Sequence, residues 1–163
     1  MNKKLKVLLM GAAFSADLHV DAYARIPEKV EIVGIVDKAA DRIEALAKRY
    51  GLTGYKAYDD IDKAIAEVDC DVVDICMPNF LHHRVAIAAL NRGRDVFCEK
   101  PLATTVADGR DMVDTAARLG RRIYYAEDWL GTPALNRALE IVESGAIGDL
   151  KYVRARECHS GSH

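Results

Sequence analysis

The stretch Val7-Leu8-Leu9-Met10-Gly11-Ala12-Ala13-Phe14-Ser15-Ala16 has the pattern of a buried strand, a glycine turn and the start of a helix. Four consecutive apolar residues are typical of a strand that is covered on both faces, as in a parallel sheet. Small residues after such a strand let the backbone turn close to a ligand at the N-terminus of the helix. The stretch therefore predicts the first βα unit of an α/β domain.

The same stretch also resembles a secretory signal, because Lys3, Lys4 and Lys6 precede its apolar core. We favour the strand, since the apolar core is short and an acid follows at a distance that suits a βαβ unit. No segment approaches the roughly 18 apolar residues that a membrane span needs.

Apolar runs alternate with segments of helical periodicity along the rest of the chain, which favours a parallel sheet built from βαβ units. Helix endings are predicted at four glycines, Gly51, Gly93, Gly120 and Gly145, and helix starts at Thr105 and at Thr132-Pro133. The predicted fold is a doubly wound (Rossmann) α/β fold with a mostly parallel sheet. Its predicted strands are Val7 to Met10, Ile32 to Val36, a weaker one near Tyr55, Val72 to Cys76, Val96 to Cys98 and Ile123 to Tyr125.

The last segment differs, because Leu150 to Arg156 alternates apolar and polar residues. Alternation is typical of a strand with one solvated face. We therefore expect a dinucleotide-binding domain over residues 1–148, and over 149–163 the beginning of a truncated C-terminal domain. The alternative is a strand that joins the edge of the first sheet.

Composition excludes several classes of protein. The chain has 163 residues, 50% of them hydrophobic, and its 23 basic and 25 acidic residues give a net charge of −2. No basic stripe carries interleaved aromatic residues, so we expect no nucleic acid partner. The lack of a segment long enough to span a membrane predicts no membrane partner. The cysteines are widely spaced, which predicts no disulfide framework and fits the cytoplasm.

The glycine turn is the first candidate cofactor site. In dinucleotide-binding folds three glycines provide the bend, the close approach of the pyrophosphate and the packing of helix on strand. Here Gly11 keeps the first position, Ala16 is a small substitute at the third, and Ala13 replaces the second. We expect Gly11, Ala12, Ala13 and Phe14 to contact the cofactor, with the Ala13 methyl group forcing the loop to widen or the cofactor to shift.

Asp37 ends the second predicted strand, 21 positions after Ala16. An acid near this distance accepts hydrogen bonds from the adenosine ribose and repels a 2′-phosphate. The predicted cofactor is therefore NAD, with NADP as the alternative because Lys38 and Arg42 are near. Asp37 is also a candidate N-cap of the next helix.

Met77-Pro78-Asn79 forms the predicted turn after the strand that ends at Cys76. At this edge the order of a doubly wound sheet reverses and leaves a crevice, where Asn79 and His82 can face the cofactor. His82 and His83 point about 100° apart on a helix, so they do not form a joint metal site. His19 is most simply a packed or capping histidine.

Glu99-Lys100-Pro101 places an acid and a base at the end of the strand Val96 to Cys98. Lys100 can donate a proton or a hydrogen bond to a bound oxygen, and Glu99 can hold its ammonium group in place. Pro101 ends the strand. The alternative is a solvated ion pair at a strand exit.

These motifs in this order, together with Ser144-Gly145-Ala146-Ile147-Gly148, resemble the Gfo/Idh/MocA oxidoreductases over nearly the whole chain, as their N-terminal half. The resemblance implies a Rossmann domain for NAD or NADP, followed by a domain that supplies the substrate pocket and often the oligomer interface. It also implies that Lys100 contacts the substrate hydroxyl and that Glu99 helps to orient the cofactor. Asp128 lies in Ala126-Glu127-Asp128-Trp129, where the family often has Gly-His-Asn, and is expected near the nicotinamide.

The resemblance implies an NAD(P)-dependent dehydrogenase of a sugar or cyclitol that forms a homo-oligomer through the missing domain. The competing hypothesis is a non-catalytic dinucleotide sensor or interaction module, since a fold alone does not determine function. A reductase of another Rossmann family is disfavoured by the Glu-Lys-Pro context. A metal site at Cys158, His159 and His163 is a minor alternative.

Overall fold

A computed structural model describes residues 3–156 and shows within them a sheet of six strands, each parallel to its neighbours. The strands are β1 Leu5–Met10, β2 Val30–Val36, β3 Lys56–Tyr58, β4 Val72–Ile75, β5 Asp95–Glu99 and β6 Ile123–Ala126. The helices are α1 Phe14–Ala24, α2 Ala40–Tyr50, α3 Ile61–Glu67, α4 Asn79–Asn91, α5 Val106–Leu119 and α6 Pro133–Glu143, with a 3-10 helix at Asp128–Gly131. The six strands predicted for the parallel sheet and the helices that follow them are confirmed, with small shifts at their ends.

Helices cover both faces of the sheet, as its apolar strands require. Leu8 and Leu9 are consecutive residues of β1, and both are fully buried because successive side chains of a strand point to opposite faces. Leu8 packs in a core with residues of α3, α4 and α5, including Val85 and Met112. Leu9 packs in a second core with residues of α1 and α2. The predicted doubly wound fold is confirmed.

The order of the strands is β3-β2-β1-β4-β5-β6, so the sheet grows in one direction from β1 and then in the other from β4. The ends of these two central strands are joined by a hydrogen bond from Cys76 N to Met10 O, 2.8 Å. The turns that follow β1 and β4 therefore lie side by side at the carboxyl edge, where ligands bind in open α/β sheets.

The predicted helix ends are largely confirmed. Gly51 and Gly120 adopt the left-handed conformation at the ends of α2 and α5, and Gly93 and Gly145 also have positive φ. At the start of α5 the Thr105 hydroxyl accepts a hydrogen bond from Asp108 N. At the start of α6 the Thr132 hydroxyl instead donates to Trp129 O, so it does not cap the helix.

The described chain divides into two compact units between Ala126 and Glu127. The predicted strand over Leu150 to Arg156 is wrong, because these residues form neither strand nor helix. A strand is stabilised by the backbone of a partner strand, and the described residues of the second unit contain no strand. Cys158, His159 and His163 lie outside the described residues. Among residues 3–156, no helix has both the length and the hydropathy to cross a membrane.

Candidate functional site

Lys100 follows the last residue of β5 at the carboxyl edge of the sheet. Its side chain is exposed, and its peptide bond to Pro101 is cis. Within residues 3–156 the Lys100 ammonium group makes no hydrogen bond or ion pair with a protein group. The group is therefore available to a bound ligand.

Glu99 does not hold the Lys100 ammonium group, contrary to the prediction. Its Oε2 atom accepts a hydrogen bond from the backbone N of Lys100 at 3.0 Å, and its Oε1 atom lies 3.2 Å from Nε2 of His19. Consecutive side chains at a strand end point in opposite directions, which separates the carboxylate from the ammonium group. Glu99 therefore orders the backbone at the strand exit.

His19, on α1, joins Glu99 to the buried carboxylate of Asp74 on β4. Its Nδ1 atom lies 2.9 Å from Asp74 Oδ2, and its ring stacks on Phe97 with 5.1 Å between the ring centres. Burial lowers the pKa of His19, but the hydrogen bonds and negative charges of Asp74 and Glu99 outweigh burial and raise the pKa above its ordinary value. His19 is a packed histidine, as predicted, because its ring stacks on Phe97. Its contacts with the carboxylates of Asp74 and Glu99 were not predicted.

Tyr23 and Cys76 complete this cluster around Asp74. The Tyr23 hydroxyl donates to Asp74 Oδ2 at 2.7 Å, and the Cys76 thiol lies 3.7 Å from Asp74 Oδ1. Burial, together with the charge of Asp74, raises the pKa of both the Tyr23 hydroxyl and the Cys76 thiol, so both groups are protonated at neutral pH.

Ligand atoms of His19, Asp74 and Cys76 lie within 4.8 Å of one another, a separation that a metal ion could span. The three groups already satisfy one another by hydrogen bonds, and a metal needs a thiolate rather than a thiol. The cluster is therefore better described as a hydrogen-bond network.

Gly11 is the residue of the glycine turn that the fold requires. Its φ is +106°, and a Cβ atom at this position would overlap the carbonyl oxygen of Cys76. Its backbone N also donates to Val36 O at 2.7 Å. Gly11 thus brings the ends of β1, β2 and β4 together.

Ala13 and Phe14 lead into α1 and are exposed. Ala13 has φ −97° and ψ −160°, an extended conformation that any L-residue adopts, so the turn does not need a glycine here for conformational reasons. Ala13 and Phe14 also line a cavity of about 250 Å³ with Ala12, Arg42 and Arg49. The Ala13 methyl group can therefore affect cofactor binding only by direct contact with the ligand, and not by straining the backbone of the turn.

Asp37 follows β2 and holds the glycine turn from the other side. Its Oδ2 atom accepts from Ala12 N and its Oδ1 atom from Ala39 N, both at 2.9 Å. The alternative that Asp37 is the N-cap of α2 is wrong, since Ala39 occupies that position. Each carboxylate oxygen has a second lone pair, so both can also accept a bond from a ligand. Lys38, next in the chain, is exposed.

The turn after β4 places Pro78 and Asn79 at the surface, with Met77 partly buried. The prediction that His82 faces the cofactor is wrong, because the ring is fully buried. Its Nδ1 atom lies 2.8 Å from Pro101 O, and its Nε2 atom lies 2.8 Å from Met77 O. His82 thus joins the turns that follow β4 and β5, since it is one helical turn inside α4.

We expect His82→Ala to lower the free energy of unfolding by about 2 to 4 kcal/mol, because it leaves a cavity and removes the polar contacts of the ring with two carbonyl groups. Chemical denaturation measures this change. The adjacent His83 is the matched control, since its ring is partly exposed and contacts Asp111 at the surface. His83→Ala should cost under about 0.5 kcal/mol. Equal losses in the two variants would contradict the bridging role of His82.

Asp128 begins the 3-10 helix of the second unit. The position of its side chain lies outside what the structure describes, so its predicted approach to the nicotinamide stays a prediction.

Sequence reasoning missed the network of Asp74, His19, Tyr23 and Glu99. One signal was available: Asp74 interrupts an apolar run that is expected to be buried on both faces, and a buried carboxylate requires partners. His19 and Tyr23, four residues apart, lie on the same side of a helix. Neither observation identifies Glu99 as a third partner.

Known proteins share this fold and sequence pattern. Residues 5–127 match the model of the Gfo/Idh/MocA oxidoreductase family, described as an NAD-binding Rossmann fold. The D-glucoside 3-dehydrogenase of Escherichia coli is 32% identical over 152 residues, which cover 93% of this chain and 43% of that protein. The inositol 2-dehydrogenase of Salmonella typhimurium is 30% identical over 165 residues, which cover 97% of this chain and 47% of that protein.

Solved structures agree with this likeness. The WlbA dehydrogenase of Bordetella pertussis, in complex with NADH and UDP-GlcNAcA, is 26% identical with a TM-score of 0.82, over 90% of this chain and 44% of that one. The scyllo-inositol dehydrogenase of Lactobacillus casei with bound NAD(H) and scyllo-inositol also has a TM-score of 0.82, over 90% of this chain and 43% of that one, and at 21% identity shows the fold alone. This chain spans less than half the length of these relatives.

Proposed function

We propose, because this chain belongs to the Gfo/Idh/MocA oxidoreductase family and forms its NAD-binding Rossmann domain, that it is the cofactor-binding half of a sugar or cyclitol dehydrogenase. In the proposed reaction a CH–OH group would become a carbonyl: its hydroxyl proton would pass to a protein base, and a bound nicotinamide would accept its hydride. The nicotinamide supplies the two-electron chemistry. One observation carries the proposal: the Lys100 ammonium group contacts no polar group among the described residues and lies at the same sheet edge as the glycine turn.

The residues at this edge fit a dinucleotide. The first N–H groups of α1 have no partner within the helix, and such groups bind phosphate. Gly11 allows the turn to pass against the carbonyl group of Cys76, while Asp37, which already accepts from Ala12 N, presents oxygens that can also accept from ribose hydroxyl groups. Exposed Pro78 and Asn79 lie on the adjacent turn, and Glu99 holds the backbone of Lys100.

Lys100 is the proposed proton-transfer group. In the oxidation Lys100 takes up the hydroxyl proton as a neutral amine and so becomes an ammonium, and in the reverse reaction the ammonium returns that proton to the oxygen. Residues 1–148 are the proposed cofactor domain, with the substrate domain beginning at residue 149. Homo-oligomer formation through that domain stays a prediction.

The proposed preference for NAD over NADP rests on Asp37, whose carboxylate repels a 2′-phosphate. In calorimetric titrations of this chain we expect NAD to bind and NADP to bind more weakly. Asp37→Asn should weaken NAD binding by about 10-fold, since it removes the negative charge and one acceptor oxygen. The difference in affinity between NAD and NADP should become smaller. Asp114→Asn, at an exposed position of α5, is the matched control. Tighter binding of NADP by the parent chain would contradict the role of Asp37.

Ala13→Gly tests the altered turn in the same titration. Because the backbone at Ala13 is already extended, the glycine should change affinity through removal of the methyl group rather than through the fold. If neither cofactor binds the parent chain or this variant, the site is not competent in this chain.

A non-catalytic dinucleotide sensor is the second candidate function. The observation that favours it is Ala13 in place of the second glycine, in a turn that otherwise approaches phosphate closely. Free Lys100 argues against it, since a sensor needs no proton-transfer group beside the nicotinamide.

We also propose a reducing compartment such as the cytoplasm. Cys70, Cys76 and Cys98 are buried free thiols, and burial raises the pKa of Cys70 to about 11 and that of Cys98 to about 12. Thiols of this kind are inert and suit a protein that does not use disulfides.

A further inference from the structure

His19 contacts two carboxylates, one on each side of its ring. Nδ1 lies 3.0 and 2.9 Å from the two oxygens of Asp74, and Nε2 lies 3.2 Å from Oε1 of Glu99. An ionised carboxylate only accepts hydrogen bonds, so both ring nitrogens must donate for both contacts to form. A neutral ring has one N–H, whereas an imidazolium has two. Beside two ionised carboxylates, the geometry therefore requires the charged form of His19.

The surroundings of Asp74 lead to the same conclusion. Asp74 is fully buried, and a buried carboxylate is unfavourable without a cation and hydrogen-bond donors. The titratable groups that face His19 are Asp74, Glu99, Cys76 and, through Asp74, Tyr23. Of these, Cys76 and Tyr23 are neutral. Within residues 3–156, His19 is the one group in contact with Asp74 that can carry a positive charge.

The network ends at the proposed proton-transfer residue. Glu99 accepts from His19 through Oε1 and from the backbone N of Lys100 through Oε2. The backbone of Lys100 is thus tied through Glu99 and His19 to the interior of the sheet. Its side chain has no such restraint from a protein group among the described residues.

We propose that His19 is a positioning residue, which as an imidazolium ties Glu99 to buried Asp74 and thereby holds Lys100 in place at the carboxyl edge of the sheet. The role of Lys100 itself rests on the proposed function. The contacts of His19 do not depend on it.

This arrangement has a definite pH dependence. The pKa of His19 is raised in the folded chain, so its contribution to stability is complete below the ordinary histidine pKa of about 6.5. The contribution is lost as the pH rises through the higher folded pKa. The hold on Glu99 and Lys100 should weaken over the same range.

Two variants separate the contacts. His19→Gln retains a donor near the position of Nε2, toward Glu99, and His19→Asn retains one near Nδ1, toward Asp74. Neither can titrate. The readouts are ¹⁵N NMR of the histidine ring and amide hydrogen exchange at Lys100. The control amide is Lys63, which donates to the carboxylate of Asp60 at 2.7 Å in a similar bond far from His19.

In the parent chain we expect both nitrogens of His19 to be protonated at pH 7, and the Lys100 amide signal to shift as His19 titrates. In His19→Asn the Lys100 amide should exchange about 10-fold faster, with Lys63 unchanged. In His19→Gln the Lys100 amide should keep most of its protection from hydrogen exchange. Its NMR signal should no longer shift in the pH range where His19 titrates in the parent chain. A neutral His19 at pH 7, or equal changes at Lys63 and Lys100, would overturn the proposal.

A parallel NAD titration keeps the two proposals distinct. If the parent chain binds no dinucleotide but His19 and Lys100 behave as expected, the proposed function fails and the positioning role stands. If NAD binds but the Lys100 amide exchanges at the same rate in the parent chain and in the His19 variants, only the positioning role fails.

Discussion

Gly11→Ala should destabilise the chain by about 2 to 6 kcal/mol and abolish detectable NAD binding. Two costs add: a non-glycine residue at φ +106° is strained by about 1 to 3 kcal/mol, and overpacking against a fixed group costs a further 1 to 3 kcal/mol. The fixed group is the backbone carbonyl of Cys76, which cannot rotate away as a side chain can. Chemical denaturation with an unchanged m-value, together with calorimetry, measures both effects.

Gly51→Ala is the matched control for this experiment. Gly51 also has positive φ, +63°, but no atom lies within 4 Å of its added Cβ. It should therefore cost only the conformational term, about 1 to 2 kcal/mol, and leave NAD binding intact. If the two variants lose equal stability, the close approach of Gly11 to Cys76 does not hold the turn.

Lys100→Ala should lower kcat/KM of the proposed dehydrogenase by about 10² to 10⁴, which is the usual contribution of a proton-transfer group. The fold should be unaffected, because the side chain is exposed and makes no bond to a described residue. NAD affinity of this chain should change little, since the Glu99 carboxylate contacts the backbone rather than the side chain of Lys100. Steady-state kinetics and calorimetry test the two statements separately.

Two further variants sharpen the result. Lys100→Arg keeps the charge but cannot give up a proton, so it should also lose most of the turnover if Lys100 transfers a proton. Lys63→Ala, at an exposed position of α3, should retain activity. Full turnover in Lys100→Ala would contradict the catalytic role. An intact protein that binds NAD and oxidises no sugar or cyclitol would favour the sensor.

The sequence alone predicts most of the fold because the relevant signals are local. A strand buried on both faces needs an uninterrupted apolar run, as at Leu8 and Leu9, and a helix end with positive φ favours glycine, as at Gly51. The turn at Gly11, the strand-end acid Asp37 and the strand exit at Lys100 were predicted in the same way. All lie at the carboxyl edge of the parallel sheet, as its topology requires.

Local patterns fail where a residue depends on a partner. The alternation of Leu150 to Arg156 is typical of a strand, yet it forms none in the described chain, because a strand needs a neighbouring backbone. From the sequence alone, the position of His82 in the first turn of α4 is compatible with a side chain that faces either a cofactor or the protein interior. Packing of α4 against the turn at Pro101 places it inside.

The sequence by itself determined the order of strands and helices. It also determined that a glycine turn follows the first strand at Gly11 and that a basic residue, Lys100, follows the fifth strand. Tertiary structure alone decided what those residues contact. His19 meets Asp74 across 55 positions of sequence and Glu99 across 80. Such contacts form only when the sheet assembles, because only packing brings the His19 ring next to the buried carboxylate of Asp74.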